Sequence, residues 1–430
     1  MPIASRSGSR LPFSIRNPKS AIRNRMIRFL TAGESHGAAL VGIVEGLPAG
    51  VPVTAEAINR HLARRWLGVG RGGRRKVEQD QVEILSGVRF GRTMGGPVAL
   101  VLKNAAYHAD RAGWPEVMAV DGTGEGIERV TQPRPGHADL AGAQKYGFDR
   151  PPGGPDLRPV IERSSARETA MRVACCSIAR GFLQALDIHV VSHVVRLGEV
   201  GFPDADAWVP LRDTLLAEGP DALNDAADAS PVRMLDAALS ESAVAHVEAI
   251  RQAGDTLGGV YEVVATGVPA GLGSYVHWDR RLDGRLAQAI LSIPAQKAVE
   301  VGDGVAAAGR PGSEVHDPIV PDGEPGGGLT RSANRAGGVE GGVTNGMPVV
   351  VRGYMKPIPT LIRPLGSVDL ATGEAGPTRY ERSDVTSVPA ASTVAEAMVA
   401  WVLAEALLER YGGDTFAQVE ERLAADRARG

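Results

Sequence analysis

The sequence is poor in cysteine and in aromatic side chains. Only two cysteines occur in 430 residues, and Cys175 and Cys176 are neighbours. Adjacent cysteines fit no CxxC or zinc spacing and rarely bridge each other. The chain therefore reads as a protein of a reducing, cytoplasmic setting without structural disulfides. Aromatics make up 4% of residues, so its basic stretches lack the interleaved rings on which bases stack. A net charge of −3 gives no bulk attraction to nucleic acid or to an anionic membrane. No uninterrupted run reaches the ~18 apolar residues of a membrane span. The GESHG and RPGHAD contexts of His36 and His137 lack a second ligand at a metal spacing such as H-x-x-x-H, so zinc chemistry is disfavoured and no metal is expected. G-x-G-x-x-G and Walker patterns are also lacking, which argues against Rossmann and P-loop sites.

Glycine, by contrast, is abundant at 54 residues, and 43% of the chain is hydrophobic. A large core is affordable at this length, and glycine-rich loops let backbone approach a ligand closely. Residues 1–25 carry six Arg or Lys and no acid. They read as an upstream start, a disordered tail or a targeting peptide, with Met26 opening the folded domain. Beyond them, ALVGIVEGLP and PVALVLKN have strand character. VTAEAINRHLARRWLG predicts a helix from Thr54 to Gly68. Ser165 and Glu168 form an S-x-x-E capping box ahead of apolar Met171, Ala174, Ile178 and Phe182. Thr393 and Glu396 form another, in a helix that Gly412 stops. Residues 413–430 predict a polar, peripheral helix. No Ser/Gly-rich linker divides the chain, so 26–412 reads as one large α+β domain. The long glycine-rich loop before Gly338 is of a length that is usually functional or mobile.

Three stretches carry anion chemistry. Arg60, Arg64, Arg65, Arg71, Arg74, Arg75 and Lys76 place seven positive charges in 17 residues without an acid. They make either a solvated basic face or a grip on phosphate or carboxylate. Arg163, Ser164, Ser165 and Arg167 stand at a helix start, which suits phosphate equally with ordinary capping. The run 337-GGVEGGVTNG-346 followed by 356-KPIPT-360 allows backbone to lie flat on a planar ligand, with Lys356 and Thr360 near a phosphate tail. Three titratable residues sit in charged contexts: His36 in GESHG, His137 in RPGHAD and Asp384 in RSD. Histidine titrates near neutral pH and suits proton transfer, although a lone histidine is more often a structural hydrogen-bonder.

The segments GESHG, RPGHADLAGAQKYG, RSSARETAMRVA, GGVEGGVTNG, KPIPT and RSDVTSVPAASTVAEAMVA occur in this order. In that order they resemble the chorismate synthase family, over Met26 to about Leu408. The resemblance implies an α+β fold in which helices pack between antiparallel sheets, a β-α-β sandwich assembled as a homotetramer. It implies an anti 1,4-elimination of phosphate from 5-enolpyruvylshikimate-3-phosphate that gives chorismate. The reaction needs reduced FMN but has no net redox change, the flavin lending electron density transiently. By the same resemblance His36 lies near the reduced flavin, His137 acts as general acid at the leaving phosphate, and Asp384 works with the flavin to accept the C6 proton. Arg65, Arg71, Arg167 and Arg382 grip substrate, and Arg65 and Arg71 are also where an NADPH phosphate would be met. Flavin contacts fall on Arg163, Ser164, Ser165, Pro294, Ala295, Gly341, Lys356, Pro357, Ile358, Pro359, Thr360 and Arg382. With no added reductase domain visible, an external flavin reductase is the expected electron source. Two other classes compete: a flavin-dependent oxidoreductase with net hydride transfer, and a non-catalytic anion- or RNA-binding protein using residues 60–76.

Residues 1–25 lack any apolar pattern able to join a core. A chain beginning at Met26 is therefore expected to match the full chain in turnover, thermal midpoint and oligomer size; a large loss in any of them would assign the tail a function.

Overall fold

The computed structural model describes residues 27–69, 80–323, 328–378 and 384–429. Two antiparallel sheets frame the molecule. The first is built from β1 (Arg28–Ala32), β2 (Ala39–Glu45), β3 (Val82–Ser86) and β4 (Val98–Lys103), in the order β1-β2-β4-β3. The second contains β5 (His189–Leu197), β6 (Val200–Gly201), β7 (Gly259–Thr266), β8 (Gln296–Val301) and β9 (Val349–Met355), in the order β8-β9-β7-β5-β6. The helices used below are α1 (Ala55–Arg64), α2 (Asp139–Tyr146), α3 (Arg158–Ser164), α4 (Thr169–Gln184), α5 (Ala205–Glu218), α6 (Ala222–Ala229), α7 (Leu282–Leu291), α8 (Val388–Tyr411) and α9 (Phe416–Arg427).

Residue patterns explain the layers. In β2, ALVGIVE alternates buried and exposed positions, the signature of a sheet with one wet face. In β5 and β9, HVVSHVVRL and VVVRGYM are buried almost throughout, because helices cover both faces of the second sheet. Helix α4 lies on the first sheet, α8 lies on the second, and the two helices pack against each other between them. The expected β-α-β sandwich is thus the architecture found. A Cβ at Gly42 of β2 would stand 2.5 Å from both Cys175 Sγ and Met171 Sδ, so this glycine lets α4 settle directly on the sheet. Cys175 and Cys176 are free and fully buried on α4. Burial pushes the Cys175 thiol up to about 12, away from thiolate reactivity. On the far side of the second sheet, α5 and α6 close over Val191, Leu223 and Val264 and over Val195, Phe202 and Trp208. Among the described residues nothing covers the outer face of the first sheet in this way: Leu30, Ile43 and Leu85 are 63%, 42% and 61% exposed.

Helix α8 departs from expectation in two ways. It begins at Val388 after Ser387, with Pro389 in its first turn, so Thr393 and Glu396 lie inside the helix rather than forming a capping box. Its composition also makes it the one helix among the described residues long and apolar enough to cross a membrane, although no single uninterrupted run signalled it. Its most apolar window is 100% buried inside the protein, so core burial accounts for the composition. Glu396 is the most deeply buried charge on that helix. It sits at 0% exposure and accepts from Arg64 at 2.6 Å, Arg180 at 2.5 Å and Ser192 at 2.6 Å, with Arg233 at 3.3 Å. One carboxylate thereby joins α1, α4, β5, the segment ahead of Asp236 and α8. Burial opposes its ionisation, but the arginines outweigh this and hold the carboxyl well below the ordinary range. A second buried carboxylate, Glu262 of β7, ties Arg212 of α5, Arg352 of β9 and His193 of β5 across the second sheet.

The C-terminal stop falls at Gly412 as read from sequence, and α9 carries a capping box at Thr415 and Gln418. That helix is polar but anchored: Val419 and Leu423 are buried, and Ala49 bridges to Thr415. Removing the Glu396 charge leaves Arg180 buried without its anion and Arg233 with Asp228 alone. Glu396→Ala is expected to cost about 3–5 kcal/mol, read by urea unfolding at fixed protein concentration. Because the folded-state pKa is depressed, the stabilisation is present at neutral pH and lost as pH falls below the ordinary carboxylate range. The variant should therefore differ from wild type most at neutral pH and converge with it in strong acid.

Candidate active site

Most of the expected residues that are described fall into two groups of contacts, one about α3 and the turn after it, the other about the turn before α2 and the KPIPT segment. His36 lies in the bend between β1 and β2. Its backbone N–H donates to Glu162 Oε2 at 2.8 Å, and its ring Nδ1 stands 3.0 Å from Glu162 Oε1. The ring stacks on Trp114 with centroids 3.8 Å apart and planes 11° from parallel. Glu162 belongs to α3, is 2% exposed, and has Arg158 at 3.8 Å. The Ser35 N–H donates to the Glu162 carbonyl at 3.0 Å, which pins the loop to the helix a second time.

The α3–α4 junction differs in detail from the sequence reading. A short 3-10 turn, Ala166–Glu168, intervenes before α4. Ser165 caps it by accepting from the Arg167 N–H, and its hydroxyl lies 3.1 Å from that of Ser35. Glu168 does not complete a capping box. Its carboxylate accepts instead from Thr31 of β1 at 2.7 Å and from Arg172, one turn further along α4, at 2.8 Å. Ser164 turns inward and donates to the Val160 carbonyl at 2.6 Å. Arg163 donates to the Thr31 carbonyl at 3.1 Å.

His137 occupies the turn before α2. Its Nδ1 lies 2.5 Å from Asp139 Oδ1, while Arg134 Nε donates to Asp139 Oδ2 at 2.8 Å. Burial of Asp139 opposes its charge, but His137 and Arg134 prevail and hold the carboxyl well below the usual range. This turn rests on the KPIPT segment. Lys356 Nζ donates to the Gly136 carbonyl, Pro359 approaches Gly136, and Arg134 reaches Thr360. Burial, with Lys297 nearby, lowers the Lys356 pKa. Pro357 and Ile358 continue the segment, and the Ile358 carbonyl accepts from Thr256 at 2.7 Å. Ala295, after Pro294, takes φ +66 and accepts from the Lys356 N–H at 3.0 Å. Asp384 accepts from Ser387 at 3.2 Å, and the adjacent Val385 carbonyl accepts from the Leu257 N–H, one residue past Thr256.

Arg65 and Arg167 meet at Asp80. Arg167 stands 2.5 Å and Arg65 3.7 Å from that buried carboxylate, which also accepts from the Trp66 indole at 3.1 Å. Arg64, read as part of the same basic patch, belongs to the core through Asp228 and Glu396. Arg71, Arg74, Arg75, Lys76 and Arg382 lie outside the described residues. Gly341 stands apart. It turns a small hairpin between Val339–Glu340 and Val343–Thr344, and the neighbouring Gly342 carbonyl accepts from Ser274 and Leu282. A Cβ at Gly341 would meet nothing within 4 Å. Sequence reasoning missed Asp80, Glu162 and Trp114. Glu162 stands immediately before the singled-out Arg163, but nothing local marks an acid as the partner of a histidine 126 positions away.

The arrangement can hold an anion and move protons. Two imidazoles are each held at Nδ1 by a buried carboxylate, and guanidinium groups lie on the intervening segments. Paired acid–base groups beside guanidinium groups suit proton transfer on an anionic substrate. The family model described as chorismate synthase matches residues 27–408. A chorismate synthase of Salinibacter ruber is 61% identical over 94% of this chain and 99% of its own length. That of Chlorobaculum tepidum is 52% identical over 94% and 98%. A solved structure titled as a crystal structure of chorismate synthase superimposes with TM-score 0.71 at 39% identity, covering 93% of this chain and 96% of that one. The chain belongs to the chorismate synthase family, and it is a carbon–oxygen lyase rather than a net hydride-transfer enzyme.

Asp139 is the point where Arg134 and His137 are held together. Asp139→Asn keeps the size but removes the charge, and is expected to lower the rate of phosphate release by about 10²-fold while leaving the far-ultraviolet circular dichroism unchanged. An unaltered rate would separate this carboxylate from the chemistry.

Proposed function

We propose that the chain expels the 3-phosphate of 5-enolpyruvylshikimate-3-phosphate and removes the C6 hydrogen at this loop cluster, with reduced FMN as cofactor. The observation that carries the reading is the convergence of His36, His137 and the Arg65–Asp80–Arg167 group on segments joined by α3 and the turn after it. The donor set suits a flavin phosphate and ring. Ser165, Arg163 and Lys356 supply polar and cationic groups. Beside Pro294–Ala295, the Gln296 residue is 7% exposed and neither its amide N nor its O has a partner among the described residues. That is the kind of buried amide a polar ring edge satisfies. Bound reduced FMN supplies electron density to the carbon that loses phosphate.

The remaining work falls to side chains. Arg65 and Arg167, with Arg71 and Arg382, neutralise the substrate anions, and Asp80 keeps two of the guanidinium groups from splaying. His137 gives its proton to the departing phosphate, which lowers the negative charge that must leave, and Arg134 engages the Asp139 carboxylate that holds His137. His36 serves the flavin side. Asp384, on the loop that leads into α8, accepts the C6 proton. Gly341 completes the cofactor contacts in this reading. NADPH, bound near Arg65 and Arg71, or an external flavin reductase supplies the electrons. The protein acts in the cytoplasm as a homotetramer, away from membrane and nucleic acid. The uncovered outer face of the first sheet supports assembly: Leu30 pairs with Ile43 across β1 and β2, and Val41 with Val101 across β2 and β4, giving an apolar face of the kind that copies bury against each other.

Anaerobic phosphate release with chemically reduced FMN tests the reading. Asp384→Asn is expected to slow turnover by about 10²–10⁴-fold with little change in FMN affinity. His137→Ala should impair phosphate expulsion yet keep the spectrum of bound reduced flavin, whereas His36→Ala should disturb that spectrum. Identical flavin spectra and phosphate kinetics in both histidine variants would overturn the division of roles.

A further inference from the structure

His36 and His137 share an arrangement that their sequence contexts do not. Each presents Nδ1 to a carboxylate that is almost wholly buried, Glu162 and Asp139 respectively. The two carboxylates nevertheless differ in what else they hold. Asp139 is already engaged by Arg134 through backbone N–H, Nε and Nη2. Glu162 has no guanidinium within hydrogen-bond distance among the described residues, Arg158 being 3.8 Å away. Its two oxygens instead meet two groups of the same residue: the backbone N–H of His36 at 2.8 Å and the ring Nδ1 at 3.0 and 3.1 Å. The backbone N–H can only donate, so Oε2 accepts. An ionised carboxylate has no hydrogen to give, so the Nδ1 facing it must carry one. The neutral ring is then the Nδ1–H tautomer, and Nε2, which makes no hydrogen bond among the described residues, is left as the basic nitrogen. Trp114, stacked at 3.8 Å, fixes the ring plane.

We propose that Glu162 is the positioning residue of His36. It sets the tautomer and direction of the ring so that Nε2, and not Nδ1, receives and returns the proton. The inference rests on the reading that His36 takes part in the reaction. Glutamine is the informative replacement. Its carboxamide can satisfy the His36 backbone N–H with its oxygen, but its NH2 then faces Nδ1. Nδ1 must accept, and the proton moves to Nε2. An isosteric change of one atom thereby inverts the ring.

The test is solid-state 15N NMR of histidine-labelled full-length protein above the titration range, with the His36 signals assigned by their absence in His36→Ala. The wild type is expected to show a protonated Nδ1 and an unprotonated Nε2, and Glu162→Gln the reverse. Glu162→Asp, which keeps the charge, should retain the wild-type pattern. Turnover in Glu162→Gln should fall by about 10²–10⁴-fold, the weight of a misdirected acid–base group, with KM for the phosphorylated substrate little changed. A wild-type His36 protonated at Nε2 overturns the proposal without any variant, and so does an unchanged tautomer in Glu162→Gln. If the tautomers follow expectation but His36→Ala turns over normally, the catalytic reading of His36 fails while the positioning by Glu162 stands.

Discussion

One carboxylate organises the interior. Glu396 is placed on the most apolar helix of the chain, where an unpaired charge would be untenable, and it draws Arg64, Arg180 and Arg233 inward. Three of the sandwich's parts are thereby registered at one point: α1 with its trailing Arg65, α4 with its preceding Ser165–Arg167 turn, and β5. Hydrophobic burial brings α4 and α8 together, but it is nearly indifferent to sliding along their shared apolar faces. The ion cluster is not, because guanidinium groups satisfy a carboxylate only in one geometry. The position of Arg65 beside Arg167 follows from that alignment, and Asp80 then locks it.

The active region is built by a different method. Its loops are short, rich in glycine and proline, and held by contacts between side chain and backbone: Lys356 on the Gly136 carbonyl, Thr256 on the Ile358 carbonyl, Arg163 on the Thr31 carbonyl. The first two tie a loop to another loop, and the third ties the end of α3 to the end of β1. The consequence is a site whose members are positioned relative to one another even where they stand far from the core.

Much of this was legible before any coordinates. The alternation in ALVGIVE announces a sheet with one wet face, and the glycine stop at Gly412 marks the end of α8. His36 and His137 stand out by context. Family resemblance supplied the reaction and an expected role for each residue. What escaped reading is of one physical kind: partners chosen across space. Thr393 and Glu396 satisfy the local rule for a capping box, yet Pro389 starts the helix earlier and three distant arginines claim the glutamate. Ser165 and Glu168 satisfy it too, yet Thr31 and Arg172 take the carboxylate. Arg64 and Arg65 are adjacent and identical in type, and one belongs to the core while the other faces Asp80. Local propensity cannot separate them, because the difference lies in what the fold places opposite each.

Helix α8 also has a consequence for how the molecule is made. It is the layer against which α4 and the second sheet close, and it leaves the ribosome after nearly every strand it covers. Until residues 388–411 emerge, the inner faces of α4, β5 and β7 have nothing apolar to meet, and Arg64, Arg180 and Arg233 lack their shared anion. Synthesis thus runs almost to completion before the sandwich can close. A chain that stops short of Val388 gains none of the central contacts, so premature termination yields an open layer that quality control can recognise rather than a smaller working enzyme.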